Sequence, residues 1–386
     1  MKHWLAPARI RNLLIAVYLL LAVVAAVQNY TLQVKTDPNG PPGWKYTNYL
    51  IFKCSHHHLL EGRNLYASYP YEHTDLFKYS PAFALFMGVF AWFPDWLGLP
   101  LWNLANVAVF LLALFLLPMP GEKQRNLLLL LCLPDVMTSL QNSQSNVLVA
   151  GLLIMGLALF ERDKPALATL CLVSTFYIKI FGLAALVILF FYPERRKSML
   201  YATGWFVFFA LVPVLVTGFG ELAGIYRSYL ALLREDQAVS AGYSVAGVAK
   251  VWFGADLPKT ALAVAALALL LLPLVKLKRF AGFGARLLFF AALLTWMVIF
   301  NHKAESPTFI IATAPLFAWL LWRRPAAINW VMGGLLLVFT SLSPTDLFPL
   351  SLRAGFFEPY LVKAVPALII WLWMVVRLYS QAFFHR

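Results

Sequence analysis

The sequence predicts an all-α, polytopic membrane protein of about 12 transmembrane helices, with a long outer loop after the first span. Three observations carry that prediction. Of 386 residues, 61% are hydrophobic and only 12% are charged, about half the charge of a soluble domain. The mean hydropathy is +0.74, more apolar surface than a water-soluble fold of this size can hide. The apolar runs are long and do not alternate, which argues against a transmembrane barrel. The same numbers exclude a disordered chain, a collagen and a disulfide scaffold. Cys54, Cys132 and Cys171 lie far apart and imply neither a disulfide framework nor a metal cluster. The chain reads as one transmembrane domain, 1–386, with 30–98 an outer loop containing interfacial helices.

The elements follow in order. Lys2, Arg9 and Arg11 precede an apolar run from Leu13 to Val27. Gln28-Asn29-Tyr30 is not a small-residue cleavage site, so this is an uncleaved first span. A polar stretch reaches Tyr79, and further apolar runs cover 80–94, 99–118, 126–139, 146–160, 165–178, 180–192, 199–218, 260–275, 285–300, 308–322, 327–342 and 359–376. The run 80–94 is short and ends at Phe93-Pro94-Asp95. It reads as a re-entrant helix that enters and leaves on one side. The runs 165–178 and 180–192 read as two short spans meeting at Lys179.

With both termini cytoplasmic, the inside segments hold 18 of the 31 basic residues and four of the 17 acidic ones. The entire net charge of +14 then falls inside. The positive-inside rule accounts for it, and no nucleic-acid partner is needed. The layout is that of a multi-pass protein of the cytoplasmic (plasma) membrane, in contact with membrane lipids.

Chemistry is expected on the outer side, in segments 30–98, 219–258, 301–307 and 343–358. The inside loops are short and basic and hold no phosphate loop or dinucleotide fingerprint. Nucleotide-activated substrates are absent from the outer face, so a donor there is most naturally a lipid. Residues 47–66 suit an amphipathic surface helix stopped at Gly62. The following loop gathers Glu72, His73, Asp75, Lys78 and Tyr79. A carboxylate can serve as general base and a lysine can hold a phosphate. His56-His57-His58 are fanned by about 100° per residue on a helix, a poor arrangement for one metal ion and better suited to the interface. No metal or cofactor is expected. Gln144, in the amide-rich run 141–146, is expected to line a polar cavity, because such groups are costly at membrane depth. Lys179 is expected at the outer end of its two spans. Asn301-His302-Lys303-Ala304-Glu305 is a dense cluster for a tight turn, with His302 and Glu305 on one face if helical.

In this order and spacing the pattern resembles glycosyltransferase family 87, of the GT-C superfamily. The residues that carry the resemblance are Leu60-Glu61-Gly62-Arg63-Asn64-Leu65-Tyr66, Phe77-Lys78-Tyr79-Ser80-Pro81-Ala82-Phe83-Ala84, Leu101-Trp102-Asn103-Leu104-Ala105-Asn106, Gln144-Ser145-Asn146 and Ile178-Lys179. The resemblance as a whole runs from about residue 12 to 322 and is less specific in its later part. The resemblance implies a hexosyltransferase that takes sugar from a polyprenyl-phosphate donor to a lipid or glycan acceptor of the cell envelope, without a cofactor. Because their clusters all map to outer turns, Lys78, Lys179 and His302 or Lys303 are expected to converge on the donor phosphate, in a cavity lined by Asn48, Tyr79 and Gln144. The family commonly carries an aspartate early in the outer loop as base. The matching block here is Asn48-Tyr49-Leu50-Ile51-Phe52, and an amide cannot take that proton. The base then moves to Asp75, with Glu72 and Glu305 as alternatives, or activity is lost. A transporter or flippase and a non-catalytic membrane subunit are the competing readings.

Overall fold

The computed structural model describes residues 7–34, 43–235, 242–322 and 326–380. Lys2, Arg323, Arg324 and Arg386, which entered the charge count above, lie outside the described residues. The chain is helical throughout apart from one two-stranded antiparallel pair, Gln33–Val34 with Gly43–Trp44, among the described residues.

Helix α1 (Pro7–Thr31) is followed by α2 (Thr47–Leu60), which ends where Gly62 turns the chain at φ +67°. The run 80–94 forms α3 (Pro81–Phe86) and α4 (Gly88–Ala91). Together these reach about 16 Å, half of a hydrocarbon core of roughly 30 Å. Ser80 caps α3 by accepting from the Phe83 amide. One end of this segment is tied to the helix that carries Tyr177 and the other to α2. Ser80 Oγ donates to the Tyr177 carbonyl at 2.5 Å, and Asp95 accepts from Lys53 at 2.6 Å.

Next come α5 (Asp95–Leu116), α6 (Glu122–Gln141), α7 (Asn146–Phe160) and α8 (Pro165–Ile178). Helix α1 packs on α5 and α6, α5 on α7, and α7 on α8. The Trp102–Asn106 block locks this group together. Trp102 Nε1 donates to the Ser143 carbonyl at 3.1 Å, and Asn106 Oδ1 accepts from the Leu148 amide at 3.0 Å. That second bond satisfies an otherwise unpaired N–H in the first turn of α7. Lys179 breaks the helix, and α9 (Phe181–Ala185) folds back on α8. Gly182 makes the fold-back possible, since a Cβ there would stand 2.2 Å from the Leu172 carbonyl oxygen.

Helix α10 (Arg195–Leu211) meets α11 (Val214–Glu235) at an 87° bend beside Pro213. The short α12 (Val245–Phe253) precedes α13 (Lys259–Leu271). Helices α14 (Phe283–Ile299) and α15 (Ile310–Leu321) are buried on nearly every face and form the centre of the bundle. Helices α16 (Ala327–Leu335), the three-residue α17 (Leu350–Leu352) and α18 (Ala364–Tyr379) complete the chain. No residue of α16 is buried, and the large apolar side chains Leu215, Phe219 and Val264 stand exposed on the outside. An aqueous surface does not tolerate so wide an apolar face, so this is a membrane protein.

The expected span count is not reproduced by length and composition. Among the described residues three helices are long and apolar enough to cross alone, Pro7–Thr31, Asp95–Leu116 and Lys259–Phe280, or four if the bent pair counts as one. The other apolar helices have 10–17 residues. Their shortness has local causes. The chain tightens to 3₁₀ turns at Leu186–Phe191, widens to π turns at Leu336–Leu342, and breaks at Lys179.

Candidate active site

Segments far apart in sequence converge on one cavity of about 970 Å³. Its position follows from how each segment is anchored.

The first turn of α2 contributes Asn48. Lys53 donates to Asp95 Oδ1 at 2.6 Å and to the Phe93 carbonyl at 3.2 Å, while the Tyr46 hydroxyl donates to Asp95 Oδ2 at 3.2 Å. These bonds pin α2 against the start of α5. Asn48 Nδ2 donates to the Asn142 carbonyl at 2.9 Å, which joins α2 to the amide-rich turn.

The loop after α2 contributes Asp75, Lys78 and Tyr79. Asp75 and Lys78 form an ion pair of 3.1 Å with both side chains substantially exposed. Asp75 Oδ1 also accepts from the Leu76 amide at 2.7 Å. The Asp75 carbonyl meets His73 Nδ1 at 2.6 Å, so the backbone here is held from behind. Tyr79 packs its ring on Phe52 and Phe83. Burial pushes its phenol well above the ordinary range, so it is a hydrogen-bonding group and not a titrating one.

Glu72 does not reach the cavity. It pairs with His58 Nε2 at 2.7 Å and with Arg63 at 3.3 Å. Burial raises its carboxyl, but His58 and Arg63 outweigh burial and hold it below the usual carboxylate value. The histidine run also departs from the interfacial placement expected for it. His56 packs its ring against Gly88 and His58 is 2% exposed, both inside the fold, because short residues and a carboxylate face them. Among the described residues no group of three His, Cys, Asp or Glu is placed to share a metal ion.

The turn between α6 and α7 supplies Gln144, with Ser143 at φ +51° reversing the chain. Asn29, from the end of α1, donates to the Leu140 and Gln141 carbonyls and to Ser143 Oγ, fixing the turn from below. Gln144 Nε2 donates to Glu305 Oε2 at 2.8 Å. Asn146 Nδ2 donates to Gln144 Oε1, and Lys179 Nζ donates to Asn146 Oδ1 at 2.6 Å. The polarity of this relay is forced, because an ammonium only donates and a carboxylate only accepts. Two amides therefore carry a fixed dipole chain from Lys179 to Glu305. Burial lowers the Lys179 ammonium, which the Glu305 charge partly opposes, to a pKa of about 8.

The segment after α14 supplies His302, Lys303 and Glu305. It is braced by the Tyr243 amide donating to the Ala304 carbonyl at 3.0 Å. Gly242, at φ +51°, lies so close that a Cβ would stand 2.6 Å from the His302 carbonyl oxygen. Tyr229, Tyr243 and Lys250 from the region of α11 and α12 close the remaining side.

The model of glycosyltransferase family 87 matches residues 77–304. The chain belongs to glycosyltransferase family 87. It is thus a membrane glycosyltransferase, and membership places it with enzymes and not with transporters. In a search of solved structures it is similar to ArnT from Cupriavidus metallidurans bound to undecaprenyl phosphate. That likeness has 15% identity and a TM-score of 0.40, over 95% of this chain and 76% of the other. No curated protein matches the chain in sequence.

The family match contains Lys78, Tyr79, Gln144, Lys179, His302 and Lys303 of this member. It stops one residue before Glu305 and starts two after Asp75, so both cavity carboxylates flank it. Asn146, Tyr229, Tyr243 and Lys250 were not among the candidates from sequence. Asn146 had a visible signal, the amide run it closes. The other three lie in segment 219–258, where no compact motif singles them out.

Proposed function

We propose that this family member transfers a hexose from a polyprenyl-phosphate-sugar to a hydroxyl of a lipid or glycan acceptor on the outer face of the cytoplasmic membrane. The observation that carries the reading is the joining of Lys78, Lys179, His302 and Lys303 with Asp75 and Glu305 around one cavity. The cavity is lined by segments all assigned to the same side by the charge distribution, which supports an outer site with both termini cytoplasmic. The same distribution supports about 12 crossings, with the short helices extended by their 3₁₀ and π continuations.

In the proposed reaction a carboxylate accepts the acceptor hydroxyl proton. The oxygen attacks the anomeric carbon, the bond from that carbon to the phosphate oxygen breaks, and its electron pair leaves on the lipid phosphate. The lysines and His302 stabilise that growing charge. Glu305 is favoured as the base over Asp75. Supporting it, Gln144 occupies only one Glu305 oxygen, whereas both Asp75 oxygens lie within 3.4 Å of Lys78. Asp75 then serves to hold Lys78 at the rim. Asn48 Nδ2 donates to the Asn142 carbonyl, a bond that a carboxylate could not make, so Asn48 does not stand in for the family aspartate as base.

The test is turnover of the purified protein in lipid nanodiscs with a panel of polyprenyl-phosphate hexoses and membrane-extracted acceptors. Sugar transfer in the wild type and its loss in Glu305→Gln are the expected results. Transfer by Glu305→Gln at the wild-type rate would overturn the assignment of the base, and no donor consumed from the panel would overturn the donor class.

A further inference from the structure

A second set of charges gathers at the end of the bundle opposite the cavity. Helix α6 connects the two places. Its last residue, Gln141, leads into the turn that carries Gln144, and its first turn carries Glu122 and Arg125. Its length of 20 residues corresponds to about 30 Å, the depth of a hydrocarbon core. Three arginines meet at this far end. Arg11 of α1 pairs with Glu122 at 2.8 Å, and Asn126 Nδ2 donates to the Pro7 carbonyl at 2.8 Å, so the start of α1 is fixed against α6. Arg125 Nη2 donates to the Leu117 carbonyl at 3.4 Å, and Arg162, just past α7, donates through Nη1 to the Leu116 carbonyl. Those carbonyls are consecutive at the end of α5, so the two guanidinium groups stand side by side. Glu122 and Arg125 are three residues apart and share a face of α6, which brings Arg11 to the same place.

This grouping costs energy. Like charges repel, and a cation in the first turn of a helix opposes the helix dipole. The carbonyls ending α5 offset part of that cost. Glu122 is the one carboxylate in ion-pair contact with the three arginines among the described residues, and Arg11 occupies it. Arg125 Nε is buried and has no hydrogen-bond partner, a condition that native folds rarely leave unmet. A guanidinium carries five N–H donors in a planar fork that fits phosphate oxygens, and Arg125 and Arg162 each use one nitrogen only. Leu13 of α1, Leu112 of α5 and Leu130 of α6, near the arginines in sequence, are all exposed. We infer that Arg11, Arg125 and Arg162 form a binding site for the phosphate of an anionic phospholipid in the leaflet opposite the cavity. The acyl chains lie along the exposed leucines. Basic pockets between membrane helices recognise anionic headgroups by this chemistry. A free phosphate ion offers the same oxygens but nothing to cover the leucines.

The probe is dioleoyl phosphatidylglycerol, titrated into the full-length protein in detergent and read by native mass spectrometry and by the thermal unfolding midpoint. One retained phosphatidylglycerol and a raised midpoint are expected. Phosphatidylcholine, whose choline cancels the phosphate charge, should bind at least about tenfold more weakly. Arg125→Gln combined with Arg162→Gln should lower phosphatidylglycerol affinity at least about tenfold. Arg125→Lys keeps the charge and a donor for the Leu117 carbonyl, so it tests the site even where the double variant fails to fold. It should still lose roughly threefold or more, because an ammonium cannot make the forked contact. Lys197→Gln removes another basic residue of the inside segments, one paired with Glu194, and should leave binding unchanged. Equal retention of phosphatidylcholine, an equal loss in Lys197→Gln, or wild-type affinity in the arginine variants would overturn the inference. Inorganic phosphate that stabilises the protein as much as the lipid does would overturn the lipid as ligand. The measurement uses no sugar donor, so its outcome is independent of the transfer reaction.

Discussion

Two sets of charges in this protein are built in opposite ways. In the cavity, Asp75 and Lys78 form a loose pair that water reaches, with side chains 62% and 36% exposed. Behind the cavity wall, Asp135 of α6 and Lys363 before α18 are 1% and 3% exposed at 3.3 Å. Both Asp135 oxygens and two of the three Lys363 N–H groups have hydrogen-bond partners. Ser341 Oγ donates to Asp135 Oδ2 at 2.5 Å, and Lys363 Nζ donates to the Thr340 carbonyl at 2.6 Å. Thr340 Oγ1 donates back to the Lys363 carbonyl at 2.8 Å, and the ammonium lies 5.0 Å from the Phe309 ring centre. A dry charge with complete partners has no capacity left for a ligand. A wet charge with one partner can exchange it. Burial alone is therefore a poor guide to function in this bundle, and completeness of partners is a better one.

The largest effect should come from breaking the dry pair. Lys363→Met leaves Asp135 charged and buried, a loss of about 3–5 kcal/mol. Replacing both, Asp135→Leu with Lys363→Met, should return thermal unfolding in detergent to near the wild-type midpoint, because an apolar pair of similar volume substitutes well for a buried ion pair. A single variant as stable as the wild type would erase the distinction between the two regions.

The wet region should respond in rate and not in stability. Glu305→Gln is expected to lower kcat by about a hundredfold or more with an unchanged unfolding midpoint. Asp75→Asn is expected to cost less than about tenfold, since in this reading it only orients Lys78. Steady-state kinetics with a working donor decide this, and a larger loss for Asp75→Asn would exchange the two roles.

The contrast also separates what the sequence could reveal from what it could not. Lys78, Lys179 and His302 stand out in sequence because each interrupts or borders an apolar run, and the cavity gathers all three. The break at Lys179 and the stop at Gly62 are legible for the same reason, being local backbone events. Glu72 is equally conspicuous in sequence, yet it turns away to His58, a pairing set by the path of a 20-residue loop. Asp135 and Lys363 escaped notice because they are 228 positions apart, one inside an apolar run and the other at its edge. The short helices hide the span count, since 3₁₀ and π segments change the rise per residue without changing hydropathy.

Lys179 offers an intermediate effect that depends on pH. Burial has already lowered its pKa to about 8, from an ordinary value near 10.4. The ammonium is the form that holds phosphate, so kcat/KM should fall as pH rises through about 8 in the free enzyme. Lys179→Arg should carry that decline to higher pH, because a guanidinium keeps its proton throughout. A profile that is flat between pH 7 and 9 in the wild type would remove Lys179 from donor binding.

The smallest expected effect lies in the clasp that holds the Asp75 loop from outside the cavity. His58 and His73 are both buried, and burial lowers both below the usual histidine value despite the carboxylates and carbonyl beside them. The unfolded chain then takes up protons near pH 6.5 that the folded chain refuses until lower pH. Where the unfolded state binds more protons, stability rises with pH. The clasp is therefore intact at pH 7 and weakens as pH falls below about 6.5. Glu72 works in the same direction at lower pH, because its depressed carboxyl stabilises the fold above the ordinary carboxylate range and loses that contribution once it is protonated. His58→Gln keeps a hydrogen-bond donor for Glu72 but removes one titrating group. Its unfolding midpoint at pH 7 should change by the equivalent of under about 1 kcal/mol, while the decline between pH 6.5 and pH 5 becomes shallower than in the wild type. Turnover at pH 7 should change little, since Lys78 and Asp75 remain paired at the rim. If the variant shows the full wild-type acid sensitivity, the acid response belongs to other groups, and the loop is held by its backbone contacts alone.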